Sequence, residues 1–181
     1  MADRPHRGPR LLHLLAEGRA VFEVASLAPA VPVLLRAPPG DGHDVVVIPP
    51  FAFGDSLTKV LRVYLSRLGY AVHSWNRPEI LGLHRLSGVA LQRLEEITDL
   101  AGGPVSLVGH SLGGIYAREM ARAAPDQVRR VITVGSPFAG DLRANMVWPL
   151  YEAATGTSID SIPPDVERRM SEPLGVPATA I

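Results

Sequence analysis

The chain contains no cysteine. That excludes disulfides, thiolate catalysis and cysteine-ligated metals together. Lysine is almost as scarce: Lys59 is the only one, and arginine supplies the remaining positive charge. Alongside abundant Ala, Gly and Pro, this reads as a bias of base composition, not as a binding code. Formal net charge is zero, so the global balance gives no sign of nucleic acid or of an acidic surface as partner. Long apolar runs are missing too. The stretch Val24 to Leu35 is interrupted by Pro29 and Pro32, whereas a spanning helix needs about 20 apolar residues. There is no metal-ligating cluster, dinucleotide glycine pattern or phosphate loop, so neither cofactor nor metal is expected.

What is present suits one folded domain. The chain has 181 residues, 46% hydrophobic and 20% charged, enough for a sizeable core and too apolar for general disorder. Met1 to Arg10 reads as a loose tail and residues 11–181 as the domain. Arg4, Arg7 and Arg10 followed by Leu11-Leu12 imitate a secretory leader, but Glu17, Arg19 and Glu23 break its apolar part. A helix over Leu11 to Leu27 in a cytoplasmic protein is the expectation.

From residue 45 the pattern becomes regular. Val45-Val46-Val47-Ile48 is a β-branched run of the kind buried on both sheet faces. Asp55 or Ser56 is placed to cap a helix running to Leu68, stopped by Gly69. Ala71 to Trp75 reads as a strand, Gly88 to Leu100 as a helix, Val105 to Val108 as a strand, Leu112 to Ala124 as a helix and Val131 to Val134 as a strand. Alternation of this kind gives a parallel sheet with right-handed crossovers. Ligands then bind beyond the carboxyl ends of the strands, at the loops Pro49 to Ser56, Asn76 to Leu86 and Gly109 to Gly114. Later, Val147 to Tyr151 and Pro164 to Met170 suggest short helices, and Ala178 to Ile181 the start of a strand.

Gly109-His110-Ser111-Leu112-Gly113-Gly114 carries the chemistry. Gly-x-Ser-x-Gly between a strand and a helix puts the serine on a tight, strained turn with its hydroxyl above the sheet edge. Gly109 and Gly113 leave room for that turn, and Gly114 lets the helix approach the sheet. The helix N-terminus brings amide donors to a developing oxyanion. The plain alternative is a glycine-rich turn whose serine only caps a helix. His110 reads as packed beneath the turn, His73 as a strand residue, and His6, His13 and His43 as tail, helix and turn residues. His84, on a ligand-side loop, is the one histidine worth testing as a base.

These residues, with Ile115-Tyr116-Ala117-Arg118, Val134-Gly135-Ser136-Pro137-Phe138 and Leu65-Ser66-Arg67-Leu68-Gly69-Tyr70, resemble bacterial α/β-hydrolases of the esterase/lipase type, over nearly the whole chain. The resemblance implies an open, mostly parallel sheet with helices on both faces, lacking the first two strands and the C-terminal strands. The spatial order it implies is second, first, third, fourth, with Val131 to Val134 left as an apolar edge through which chains could self-associate. It implies Ser111 as nucleophile and the amides of Leu112 and Phe51 as oxyanion donors. Phe51 stands in Pro49-Pro50-Phe51, where Pro50 replaces the family's usual glycine. Asp141 becomes the acid, and residues 138–177 a lid over an apolar acyl pocket. The family's triad histidine follows its acid, yet no histidine follows His110 here. The chain is then a fragment or a truncated copy, slow or inactive alone. Three readings stay open: a hydrolase of small-molecule or lipid-like esters, a non-catalytic binding module on the same fold, and an acyltransferase using the same serine.

Overall fold

The computed structural model describes residues 31–34, 36–50, 54–76, 86–138, 152, 158 and 164–181. The chain divides into two compact units, Met1–Pro39 and Gly40–Ile181. Of the first, residues 31–34 are helical. The tail at Met1 to Arg10, the helix expected over Leu11 to Leu27 and the one near Val147 to Tyr151 lie outside the described residues.

The second unit is built on five parallel strands: β1 (Asp44–Ile48), β2 (Ala71–Ser74), β3 (Val105–His110), β4 (Val128–Val134) and β5 (Ala178–Ala180). Their spatial order is β2-β1-β3-β4-β5, which agrees with the expected order of the first four. Val46 stands level with His73 on one side and Leu107 on the other, and Val108 level with Ile132. Among the described residues its helices include α1 (Lys59–Arg67), α2 (Leu86–Ala101), α3 (Leu112–Ala123) and α4 (Pro164–Ser171), with a 3₁₀ turn at Pro125–Gln127.

Strand alternation splits β1 between two cores. Val46 and Ile48 join Leu107 and Val131 under α2 and α3, where Leu94, Ile97, Ile115 and Met120 are buried. Val45, Val47 and Val108 form the other core, packed by Leu61 and Leu65 of α1 and by Tyr70. Each such aliphatic side chain contributes about 1.5–3 kcal/mol on full burial, so the β-branched run of β1 anchors both layers. Because β1 leads to α1 on one face and β3 to α3 on the other, their carboxyl ends part there. That divergence is the switch point at which α/β sheets bind ligands.

Two expectations need correction. α1 begins at Lys59 after Thr58, not at Asp55 or Ser56. The Asp55 carboxylate accepts instead from the Asn76 amide at 2.7 Å and pairs with Arg62 at 3.1 Å, which ties the post-β1 turn to the end of β2. Nor is Val131 to Val134 an open edge. β4 is longer, and β5 pairs with it along Val131–Ala178, Ile132–Thr179 and Thr133–Ala180. The three terminal residues of regular structure had too little pattern to be read as a partner. The outer sides of β2 and β5 are the sheet's edges among the described residues.

Candidate active site

Ser111 joins β3 to α3 with φ 53° and ψ −123°. Among the described residues, only Asn76 shares a positive φ without being glycine. A β-carbon in that region costs about 1–3 kcal/mol unless its surroundings hold it. They do: the Ser111 amide donates to Val134 O at 2.8 Å, and Ser111 O accepts from Gly114 N at 3.0 Å. The Ser111 side chain makes no capping bond to α3, so it does not do what a helix-capping serine does.

The glycines answer to sterics. A Cβ on Gly109 would overlap Gly113 O and Gly114 Cα, and one on Gly114 would overlap Ser136 Oγ. On Gly113 it would meet Pro49 O at 2.5 Å and Ile48 O at 2.6 Å. The elbow, the end of β1 and the turn after β4 are therefore pressed together without room for side chains. Leu112 buries its side chain completely. As the first residue of α3, its N–H has no carbonyl partner within the helix and sits at the positive end of the dipole. Phe51, His84 and Asp141 lie outside the described residues.

His110 is half-buried at the end of β3, and burial pushes its pKa below the ordinary histidine value. No described histidine hydrogen-bonds Ser111. His73 Nε2 lies 2.6 Å from Asp44 Oδ1 on the β2 side. His43 does form a serine–histidine–aspartate row, but with another serine. Its Nε2 lies 2.8 Å from Ser106 Oγ, and its Nδ1 contacts Asp41 Oδ1. Asp41 Oδ2 in turn accepts from Arg129 at 3.0 Å. Ser106 is near the start of β3 and Ser111 follows its end, so five residues of strand, about 16 Å, separate them. A polar serine in a buried run, with a histidine after a Gly-Asp-Gly turn, was the available signal, and the turn reading of His43 missed it.

Arg118, which carried the resemblance but no assigned role, is 6% exposed. Its Nε donates to Met170 O at 3.2 Å and its Nη2 to Glu172 O at 2.6 Å, while the guanidinium lies 4.1 Å from the Phe138 ring centroid. Burial, then the neighbouring Arg122, push its pKa down, against Glu119. The elbow helix thus holds both Phe138 and the end of α4.

No family model matches the sequence. The chain is similar to the lipase LipV of Mycobacterium tuberculosis, 30% identical over 122 residues, which are 59% of this chain and 45% of that protein. In structure it is similar to the mature lipase BlEst2 of Bacillus licheniformis, with TM-score 0.51 and 20% identity over 74% of this chain and 59% of that one. It is also similar to MGS-MChE2, an α/β hydrolase from a lagoon-sediment metagenome, with TM-score 0.49 and 22% identity over 79% of this chain and 81% of that one. The chain spans less than half the length of the curated relative it matches. The chain has the α/β-hydrolase fold.

Proposed function

We propose that the chain carries the nucleophile half of a serine ester hydrolase, with Ser111 as the attacking residue. The observation that carries this is the backbone of Ser111, held at φ 53° between β3 and α3 with its hydroxyl uncommitted to the helix. Ser111 Oγ attacks the acyl carbonyl of a small-molecule or lipid-like ester. The carbonyl electron pair moves to oxygen, against the amides of Leu112 and Phe51. Collapse expels the alcohol, leaving an acyl-serine that water hydrolyses to the carboxylic acid. Asp141 is the acid of this reading, and residues 138–177 cover the acyl pocket.

The serine needs a base to accept its proton, worth about 10²–10⁴ in rate. No histidine follows Ser111 in the sequence, and His43 is engaged at the opposite end of the sheet. The 181-residue chain by itself is therefore a slow catalyst, retaining about 10³–10⁴ over water from oxyanion stabilisation and binding. A second reading, a non-catalytic binding module, has one observation in its favour: the serine that meets a histidine is Ser106 and not Ser111.

The test is a fluorophosphonate probe with peptide mapping, beside turnover of an activated short-chain ester. Slow labelling at Ser111, lost in Ser111→Ala together with the residual turnover, is the expected result. Turnover unchanged in Ser111→Ala sinks the assignment. Loss of turnover in His84→Ala would make His84 the base.

A further inference from the structure

The zero net charge conceals a segment where charge has one sign. Between Asp55 and Glu79 there is no acidic residue, while Lys59, Arg62 and Arg67 lie on α1. Arg62 is held by Asp55. Lys59 and Arg67 make no ion pair among the described residues. α1 turns Leu61 and Leu65 to the sheet. On its other side Leu57, just before the helix, with Val60 and Val63, is left 52%, 69% and 43% exposed. Val63 also borders a groove of about 490 Å³ between α1 and β2, shared with the three cations, Val72 and Ser74. No carboxylate lines it.

Protruding aliphatic side chains flanked by cations, of which Lys59 and Arg67 are unpaired among the described residues, are the surface chemistry of a helix that lies in the headgroup region of an anionic bilayer. A second copy does not suit this face, because a two-fold contact would set Lys59, Arg62 and Arg67 against their own equivalents. α1 also follows the loop after β1, so Leu57 and Val60 lie toward the carboxyl edge of the sheet, the edge of Ser111. We propose that the outward face of α1, Leu57, Val60 and Val63 among Lys59, Arg62 and Arg67, docks on an anionic lipid–water interface. Its use, bringing lipid-like ester to the Ser111 edge, rests on the hydrolase reading; the docking itself does not.

The experiment uses the full chain as Ser111→Ala, so hydrolysis plays no part. Its cosedimentation is measured with vesicles of phosphatidylcholine alone and of phosphatidylcholine mixed with phosphatidylglycerol. Binding is expected on the mixed vesicles and to weaken with added salt. Lys59→Glu with Arg67→Glu should lower the partition coefficient by about thirtyfold or more, and Val60→Ser with Val63→Ser by about tenfold. Circular dichroism checks that these exposed substitutions leave the fold intact. Leu100→Ser, equally exposed on α2, should change nothing. Equal binding to both vesicle types overturns the proposal, as does binding that the α1 substitutions leave untouched or that Leu100→Ser also weakens. So does a dimer broken by Lys59→Glu without vesicle binding. An inactive Ser111 leaves these readouts unaffected, so the two proposals fail separately.

Discussion

Two serines, one within β3 and one just past its end, illustrate how differently a hydroxyl can be used. Ser111 is strained, half-buried and free of a capping bond, whereas Ser106 is 2% exposed and meets His43 Nε2. Asp41 lies at Nδ1 of the same imidazole, whose ring stands edge-on to Tyr70 at 5.0 Å. The side-chain bond from His43, then the backbone bond from the same residue, hold Asp41 down to about 2 from an ordinary 3.8; partial burial opposes this, and the charges of His43 and Arg129 reinforce it. A depressed carboxyl pKa favours the folded state above the ordinary value and loses that contribution as pH falls from about 4 toward 2. The chain should therefore show an acid-side loss of stability in that window, flattened in Asp41→Asn. At neutral pH, His43→Ala strands a buried hydroxyl, at a cost of about 1–3 kcal/mol. Ser106→Ala leaves the partly exposed imidazole to water and should cost less. Chemical denaturation across pH measures both, and a greater loss in Ser106→Ala than in His43→Ala would contradict this account.

At the scale of elements, strands and helices were legible because hydrophobic period and turn residues agreed. Val45 to Ile48 could hardly be anything but a central strand, and Gly69, with φ 99°, ends the α1 segment as its sequence suggests. What escaped was contact between distant segments. Nothing in Asp55 announces that it reaches Asn76, nor in Arg118 that its guanidinium would serve two carbonyls of the α4 end. The elbow glycines were legible, but their individual constraints were not. At Gly114 the obstacle is the Ser136 side chain, with Gly109 O at 3.1 Å behind it; at Gly113 it is the backbone of Ile48 and Pro49. Gly113→Ala should therefore cost about 1–3 kcal/mol or more, as overpacking against atoms that cannot yield. Gly114→Ala should be similarly harmful alone and partly rescued by Ser136→Gly. Rescue is read from denaturation midpoints of the two single variants and the double. Rescue of Gly113→Ala by Ser136→Gly would mean the crowding is misassigned.

For the whole molecule, the hydrolase sheet and its strand order were legible through the resemblance, since hydrophobic runs alone do not say which parallel strands are neighbours. The terminal strand was expected at Ala178 to Ile181, but its pairing with β4 was missed, because Ala178-Thr179-Ala180 are small or polar, carry almost no pattern and are all exposed. The consequence is that the unpaired edge expected on β4 lies on β5 among the described residues. Ile181 N donates to Thr133 O and Ile181 O accepts from Gly135 N, while Pro177 O accepts from Val131 N. Since parallel strands alternate the direction of their backbone groups residue by residue, Pro177, Thr179 and Ile181 face β4. Ala178 and Ala180 then turn their N–H and C=O outward. That outer row is open among the described residues, and an open row templates pairing with another chain. Proline removes an N–H, and at a sheet edge it does so without harming the ladder behind it, provided the N–H points outward. Ala180→Pro should therefore reduce concentration-dependent association, seen by sedimentation velocity, while leaving the denaturation midpoint nearly unchanged. Thr179→Pro should instead break a bond to β4 and lower the midpoint. If Ala180→Pro leaves association unaltered, the β5 edge is not the contact; if it destabilises the chain as much as Thr179→Pro, the assignment of inward and outward residues is wrong.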